Sequence, residues 1–208
     1  MPTIPHNWYM KGELLKEIAE SVRSDDLSMY RKEYSKVADY FGDTYSDFVS
    51  PVSKVSHNED ANVMIIMQDW MHIGLAKSSD KSGPHLGYNP DLKANKELDK
   101  RLKSIGETRE SIYLTNAFVH IKHTATIDGA VSAPDMRKSI EKFTLREIEA
   151  VQPKVVLVVG SNASAQMKRL VGDNHAGAKI IYMSHPSARI SNVAKDAEWG
   201  EVQDILTH

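Results

Sequence analysis

A chain of 208 residues fits one domain with one core, and 41 % hydrophobic and 26 % charged residues with 11 Gly and 8 Pro exclude collagenous, low-complexity and disordered classes. The absence of cysteine removes disulfides, thiolate nucleophiles and cysteine-held metal, and a formal charge of -2 confines any nucleic-acid contact to a local patch. No apolar run approaches the roughly 18 residues of a membrane span, and Met1 to Tyr9 lacks the layout of a secretory signal, so a soluble, cytoplasmic monomer is expected.

The first sixty residues read as a helical N-terminal extension packed on the core of a single domain, 1–208. Leu14, Leu15, Ile18, Ala19 and Val22 recur at helical spacing. A second amphipathic stretch runs from about Asp26 to Phe41, with Tyr30, Tyr34, Val37 and Phe41 on one side and Ser24 or Asp25 as its cap. Gly42 to Ala61, rich in Ser, Asp, Pro and Asn, reads as a connecting loop. The pattern then changes to short apolar runs at 63–67, 111–114, 155–159 and 179–183, each bounded by polar residues or Gly/Pro, as in strands buried on both faces. Helical stretches are predicted between and after them at 91–104, 136–151, 162–171 and 197–206. This alternation specifies a three-layer α/β/α sandwich around a four-stranded, mainly parallel sheet.

In such sheets, functional residues gather beyond the carboxyl ends of the strands. The first exit carries Gln68-Asp69-Trp70-Met71-His72, the second Thr115-Asn116, the third Gly160-Ser161-Asn162-Ala163 and the fourth Ser184-His185-Pro186-Ser187-Ala188-Arg189. Asp69, Asn116 and His185 are therefore the candidates for acid-base and amide-recognition chemistry. Each also has a structural reading: an Asp as a turn former, an Asn bonded to local backbone, a His held extended before proline.

The order of these residues is similar to that of the uracil-DNA glycosylase superfamily. Gln68-Asp69-x-x-His72 resembles its Gln-Asp-Pro-Tyr-His motif, Leu114-Thr115-Asn116 its strand-end Asn, and His185-Pro186-Ser187 its His-Pro-Ser motif. Ser132 to Glu147 and Pro153 to Gly160 are also similar to the helix and strand before the last motif, so the resemblance spans about Asn62 to Asn192. It implies hydrolysis of the N-glycosidic bond of uracil, or a related deaminated base, in DNA, without a cofactor; the iron-sulfur cluster of some branches has no counterpart in a chain without cysteine. By the same resemblance, Asp69 positions water and faces the oxocarbenium-like sugar, and His185 hydrogen-bonds uracil O2. Asn116 reads the base edge, where one acceptor and two donors complement uracil N3–H and O4 but not cytosine. Gln68 and Met71 join the base pocket, Met71 standing where the best-known members have a Tyr that excludes the thymine methyl. The stacking residue falls in Ser82 to Tyr88, where motif spacing favours Leu86 and chemistry favours Tyr88. Arg189 occupies the place of the family's Leu wedge. His72, Ser161, Lys122, His123, Ser187 and Arg189 are the expected DNA contacts, with Lys122, His123 and Arg189 forming the local basic surface.

Two alternatives stand beside this reading. A glycosylase-fold protein could serve as a non-catalytic nucleic-acid or nucleobase-binding accessory, although a pure binder has no need of both Asp69 and His185. A generic α/β hydrolase or nucleotide-binding enzyme lacks support, because the chain has no nucleophile elbow, dinucleotide fingerprint or P-loop. His120 and His123 form a His-x-x-His pair without a third ligand at a telling spacing, so no metal is expected.

Overall fold

The computed structural model describes residues 6–77, 86–124 and 130–207. The first helix, α1 (His6–Arg23), buries Leu15, Ile18, Ala19 and Val22, the stripe that its spacing predicts. The expected second helix does not form. Asp26 instead caps a single 3-10 turn at Leu27–Met29, and the chain extends into β1 (Tyr34–Ser35) before one helical turn, α2 (Ala38–Phe41). The tyrosines of this stretch are held by carboxylates from elsewhere, which a continuous helix would not allow. Tyr34 donates to Asp135 at 2.9 Å, and the other Asp135 oxygen takes the Arg31 N–H at 2.8 Å. Tyr30 donates to Asp25 at 2.8 Å. Asp25 therefore does not cap a helix: it is buried against His120 and Lys142. Burial pushes its carboxyl up, but the bonds from His120, Lys142 and Tyr30 outweigh this and hold it well below the usual carboxylate range.

The segment at 42–61 is more ordered than a plain connection. It holds 3-10 turns at Gly42–Tyr45 and Pro51–Lys54, and Tyr45, Val49, Ser50, Val52 and Ser53 are buried. The α/β core follows: β2 (Val63–Asp69), α3 (Ile73–Lys77), α4 (Lys93–Ser104), β3 (Tyr113–Phe118) and β4 (Ile121–Lys122). Next, α5 (Ala133–Ser139) runs through a π-helical turn at Ile140–Thr144 into α6 (Leu145–Val151). The rest is β5 (Val155–Val159), α7 (Ser161–Val171), β6 (Asn174–His175), β7 (Ala178–Met183) and α8 (Asn192–Thr207).

The main sheet has the order β3-β2-β5-β7-β6, and β3, β2, β5 and β7 are parallel. The four expected strands are thus present, and a fifth, β6, adds an antiparallel edge. Its hairpin closes through Ala176 and Gly177, both at positive φ, and two-residue strands are too short to leave a pattern in sequence. A separate pairing joins β1 to β4, so the N-terminal region supplies a strand as well as a covering helix. One face of the sheet packs Met64, Ile66, Val156 and Val158 against Leu15, Ile18, Phe143, Ile148 and Met167; the other packs Val63, Ile65, Leu157 and Met183 against Leu98, Leu102, Trp199 and Val202. This is the expected three-layer arrangement.

Beneath the first face lies Glu147, which accepts from Tyr113 Oη at 2.8 Å and Thr115 Oγ1 at 3.1 Å. Full burial pushes its carboxyl up to about 8, against the two hydroxyl bonds. A carboxyl raised in the folded state contributes stability that is complete below its ordinary titration range and is lost as pH rises through about 8. Thermal melts across pH 5 to 9 should therefore show wild-type Tm declining over this window, and Glu147→Gln should flatten that decline.

Candidate active site

Because β3, β2 and β7 are parallel, their carboxyl ends lie at one edge of the sheet, and this edge receives all three residues predicted to act together. Asp69 ends β2, Asn116 lies near the end of β3 in register with Met67, and His185 follows β7 by two residues. From β3 to β7 is three strand spacings, about 14 Å.

Asp69 is the most constrained of the three. Its Oδ1 pairs with Lys122 Nζ at 2.8 Å, with the two side chains 9 % and 3 % exposed. Its Oδ2 accepts from Gln68 Nε2 at 3.2 Å. Gln68 lies beside Gly160, at the turn from β5 into α7, where φ is +105° and an added Cβ would come 3.4 Å from Gln68 Oε1. Lys122 reaches Asp69 because β4 lies against the first motif: its N–H donates to Met71 O at 3.4 Å, and a bridge pairs His72 with it. The expectation that Lys122 contacts DNA is thereby corrected. The residue is 2 % exposed and its ammonium meets a carboxylate inside the protein.

Asn116 is 1 % exposed, and its Oδ1 accepts from Ser50 Oγ at 2.6 Å. Thr144 Oγ1 donates to its backbone carbonyl at 3.5 Å. Ser50 comes from the segment read as a simple loop, and one serine among several there carries no signal that marks it. Its neighbours fix it: Ser53 Oγ donates to Leu114 O at 2.7 Å, and Gly87 at φ +76° passes so near Pro51 that an added Cβ would sit 1.8 Å from Pro51 O. The amide is thus part of the folded interior, with its oxygen oriented by the Ser50 hydroxyl.

His185 is half-buried in a turn closed by Ala188 N–H to His185 O at 2.7 Å. Helix α8 holds this turn from behind: Lys195 Nζ donates to Pro186 O at 2.8 Å, and Glu198 Oε1 accepts from Ser184 Oγ at 2.8 Å. The Ser187 N–H points at His185 Nδ1 at 3.2 Å. A ring nitrogen that accepts a backbone N–H carries no proton of its own, so the neutral ring has its hydrogen on Nε2. Burial holds the imidazole below its ordinary pKa, with the Asp69 carboxylate opposing and the Lys195 ammonium assisting. The field of Asp69 at the ring links these two strand ends electrostatically. Asp69 and His185 thus give the edge a fixed carboxylate and a neutral N–H donor, with a covered amide beside them.

The remaining predicted residues divide. Met71 and His72 lie in the first motif, and His72 Nδ1 accepts from the Gly74 N–H at 3.2 Å. Ser187 is exposed, and its Oγ lies 2.8 Å from His185 Nδ1. Ser161 is exposed at the start of α7, and Arg189 is exposed in the turn after β7. His123 is part-exposed, with Ser35 Oγ 2.6 Å from Nε2 and the exposed Glu33 Oε1 3.2 Å from Nδ1. The expected basic surface is corrected at Lys122, which is paired inside the protein; His123 is part-exposed beside the exposed Glu33, and Arg189 is exposed. His120 pairs with Asp25, so the His-x-x-His residues have separate partners. Leu86 is 39 % exposed, and one face of the Tyr88 ring is covered by the Arg109 guanidinium at 3.8 Å. Ser82 to His85, the first part of the segment expected to carry the stacking residue, lies outside the described residues. Trp70, which had no assigned role, donates to Gly87 O at 2.8 Å and packs edge-on against Phe41 and Tyr45, joining the first motif to the N-terminal wall.

Two measurements check this geometry. Nitrogen-15 NMR should find His185 as the Nε2–H tautomer at neutral pH, titrating below pH 6.5. Ser50→Ala strands a buried acceptor on Asn116, and thermal melting should register a loss of about 1–3 kcal/mol.

Sequence comparison identifies the family to which this fold belongs. Residues 56–204, which contain every strand of the main sheet and Asp69, Asn116 and His185, match the Uracil DNA glycosylase superfamily. With a DNA glycosylase-like fold and most of its length matched, the chain belongs to the uracil-DNA glycosylase superfamily of DNA-repair hydrolases.

Proposed function

We propose that this protein is a monofunctional DNA glycosylase that hydrolyses the N-glycosidic bond of uracil, or of a related deaminated base, and leaves an abasic site. The observation that carries this reading is the delivery of a carboxylate, an amide and an imidazole to one edge of a parallel sheet, in a chain of the uracil-DNA glycosylase superfamily. The base must leave the stack before its reacting bond and its edge become accessible. Cleavage then develops positive charge on the sugar and negative charge on the departing base.

In this mechanism Asp69 holds the attacking water beneath C1′ and faces the oxocarbenium-like sugar with its negative charge. His185 donates from Nε2 to uracil O2, and a neutral imidazole suffices for this role because its hydrogen is already on that nitrogen. Asn116 receives N3–H on Oδ1 and donates to O4 from Nδ2; cytosine would leave both groups mismatched. The bond from Ser50 occupies one side of Oδ1 and leaves that atom a second lone pair for the base. No step calls for a cofactor.

The test uses end-labelled oligonucleotides carrying uracil, a thymine mismatch, hypoxanthine or xanthine, followed by alkaline cleavage of abasic sites. Strand breaks at uracil should fall to a slow residual rate in Asp69→Asn and fall about 10²-fold in His185→Ala. Free uracil should raise the Tm of the wild type, and less so that of Asn116→Ala. Absence of cleavage on every substrate by the folded wild type would overturn the enzymatic reading and shift weight to a non-catalytic DNA- or base-binding protein.

A further inference from the structure

The chemistry just described asks for a carboxylate at Asp69 and does not ask for a cation beside it, yet Lys122 is there. The pair is nearly dry, with side chains 3 % and 9 % exposed and a 2.8 Å separation. Charges that have lost their water are retained only where the geometry is good and further bonds hold it.

Here the geometry is fixed from several directions. Lys122 is in register with Tyr34 across the β1–β4 pairing. Its N–H donates to Met71 O at 3.4 Å, and His72 bridges to the same residue. On the far side of the carboxylate, Gln68 Nε2 donates to Oδ2 at 3.2 Å. Each oxygen of Asp69 therefore has its own partner, one charged and one neutral, on separate pieces of backbone. A carboxylate on a free β-carbon would rotate; this one is held in a single plane, with its outer lone pairs left for water.

We infer that Lys122 is a positioning residue for the glycosidic step: with Gln68 it holds the Asp69 carboxylate in the orientation that presents one water to C1′. Its charge is taken up by Asp69 and not by a DNA phosphate, and it forms no covalent bond with the sugar. The inference rests on the reading of Asp69 given under Proposed function.

Single-turnover release of uracil and DNA binding by anisotropy over a salt series separate the possibilities for Lys122→Met, Lys122→Arg, Asp69→Asn and Asp69→Asn/Lys122→Met. If Lys122 acts through Asp69, Lys122→Met should slow release about 10- to 100-fold while the Kd for DNA stays within about threefold. In the Asp69→Asn background the same change should alter the residual rate less than about twofold, and Lys122→Arg should recover most of the wild-type rate. Should Lys122→Met fail to fold, the double variant, in which neither buried charge remains, carries the comparison with Asp69→Asn.

The inference is overturned if the two substitutions act additively on rate. It is also overturned if Lys122→Met loses DNA affinity together with salt dependence, the mark of a phosphate contact, or if borohydride traps the wild type on abasic DNA, the mark of an amine nucleophile. An Asp69→Asn variant that cleaves at the wild-type rate would defeat the underlying reading of Asp69 instead.

Discussion

Parallel pairing of β3, β2, β5 and β7 obliges every strand to leave the core at the same edge, and every crossover to return along a face. Residues separated by more than a hundred positions in sequence, Asp69 and His185, therefore come to the same edge, with one strand between theirs. The apolar strand interiors drive the assembly. Val155 to Val159 are all buried, and the two faces of this strand feed two different cores. The polar exits are a consequence of where the apolar runs stop. Among the described residues no helix is long and apolar enough to cross a membrane, and the helical faces are committed to this sheet.

The N-terminal region has a larger part than packing. It supplies β1 against β4, and with it a backbone support for Lys122; it supplies Ser50 for Asn116; and through Phe41 and Tyr45 it supports Trp70, the residue next to Asp69. The matched superfamily region begins only at residue 56, so these contributions come from a segment outside the match. The candidate site is thus a joint product of the α/β core and what precedes it.

The parts of the molecule legible in the sequence are those set by long or strongly patterned runs. The parallel strands announce themselves as continuous apolar stretches, and the strand-exit residues follow from the topology these imply. What escaped was decided by contacts distant in sequence. Tyr30 and Tyr34 fit a helical stripe, but Asp25 and Asp135 hold them in another path. Lys122 reads as a surface cation beside two histidines, and only the bend that brings β4 to the first motif shows that it is internal. Ser50 and the two-residue strand β6 leave no pattern at all, because one hydroxyl or one bridge is too little for periodicity to register.

Near-complete burial of Asn116 means that its amide is oriented before any ligand arrives, with Ser50 Oγ fixing the oxygen at 2.6 Å. A side chain already locked in one rotamer has little freedom left to lose on association, so the entropic cost of ordering it is met during folding and not at the moment of recognition.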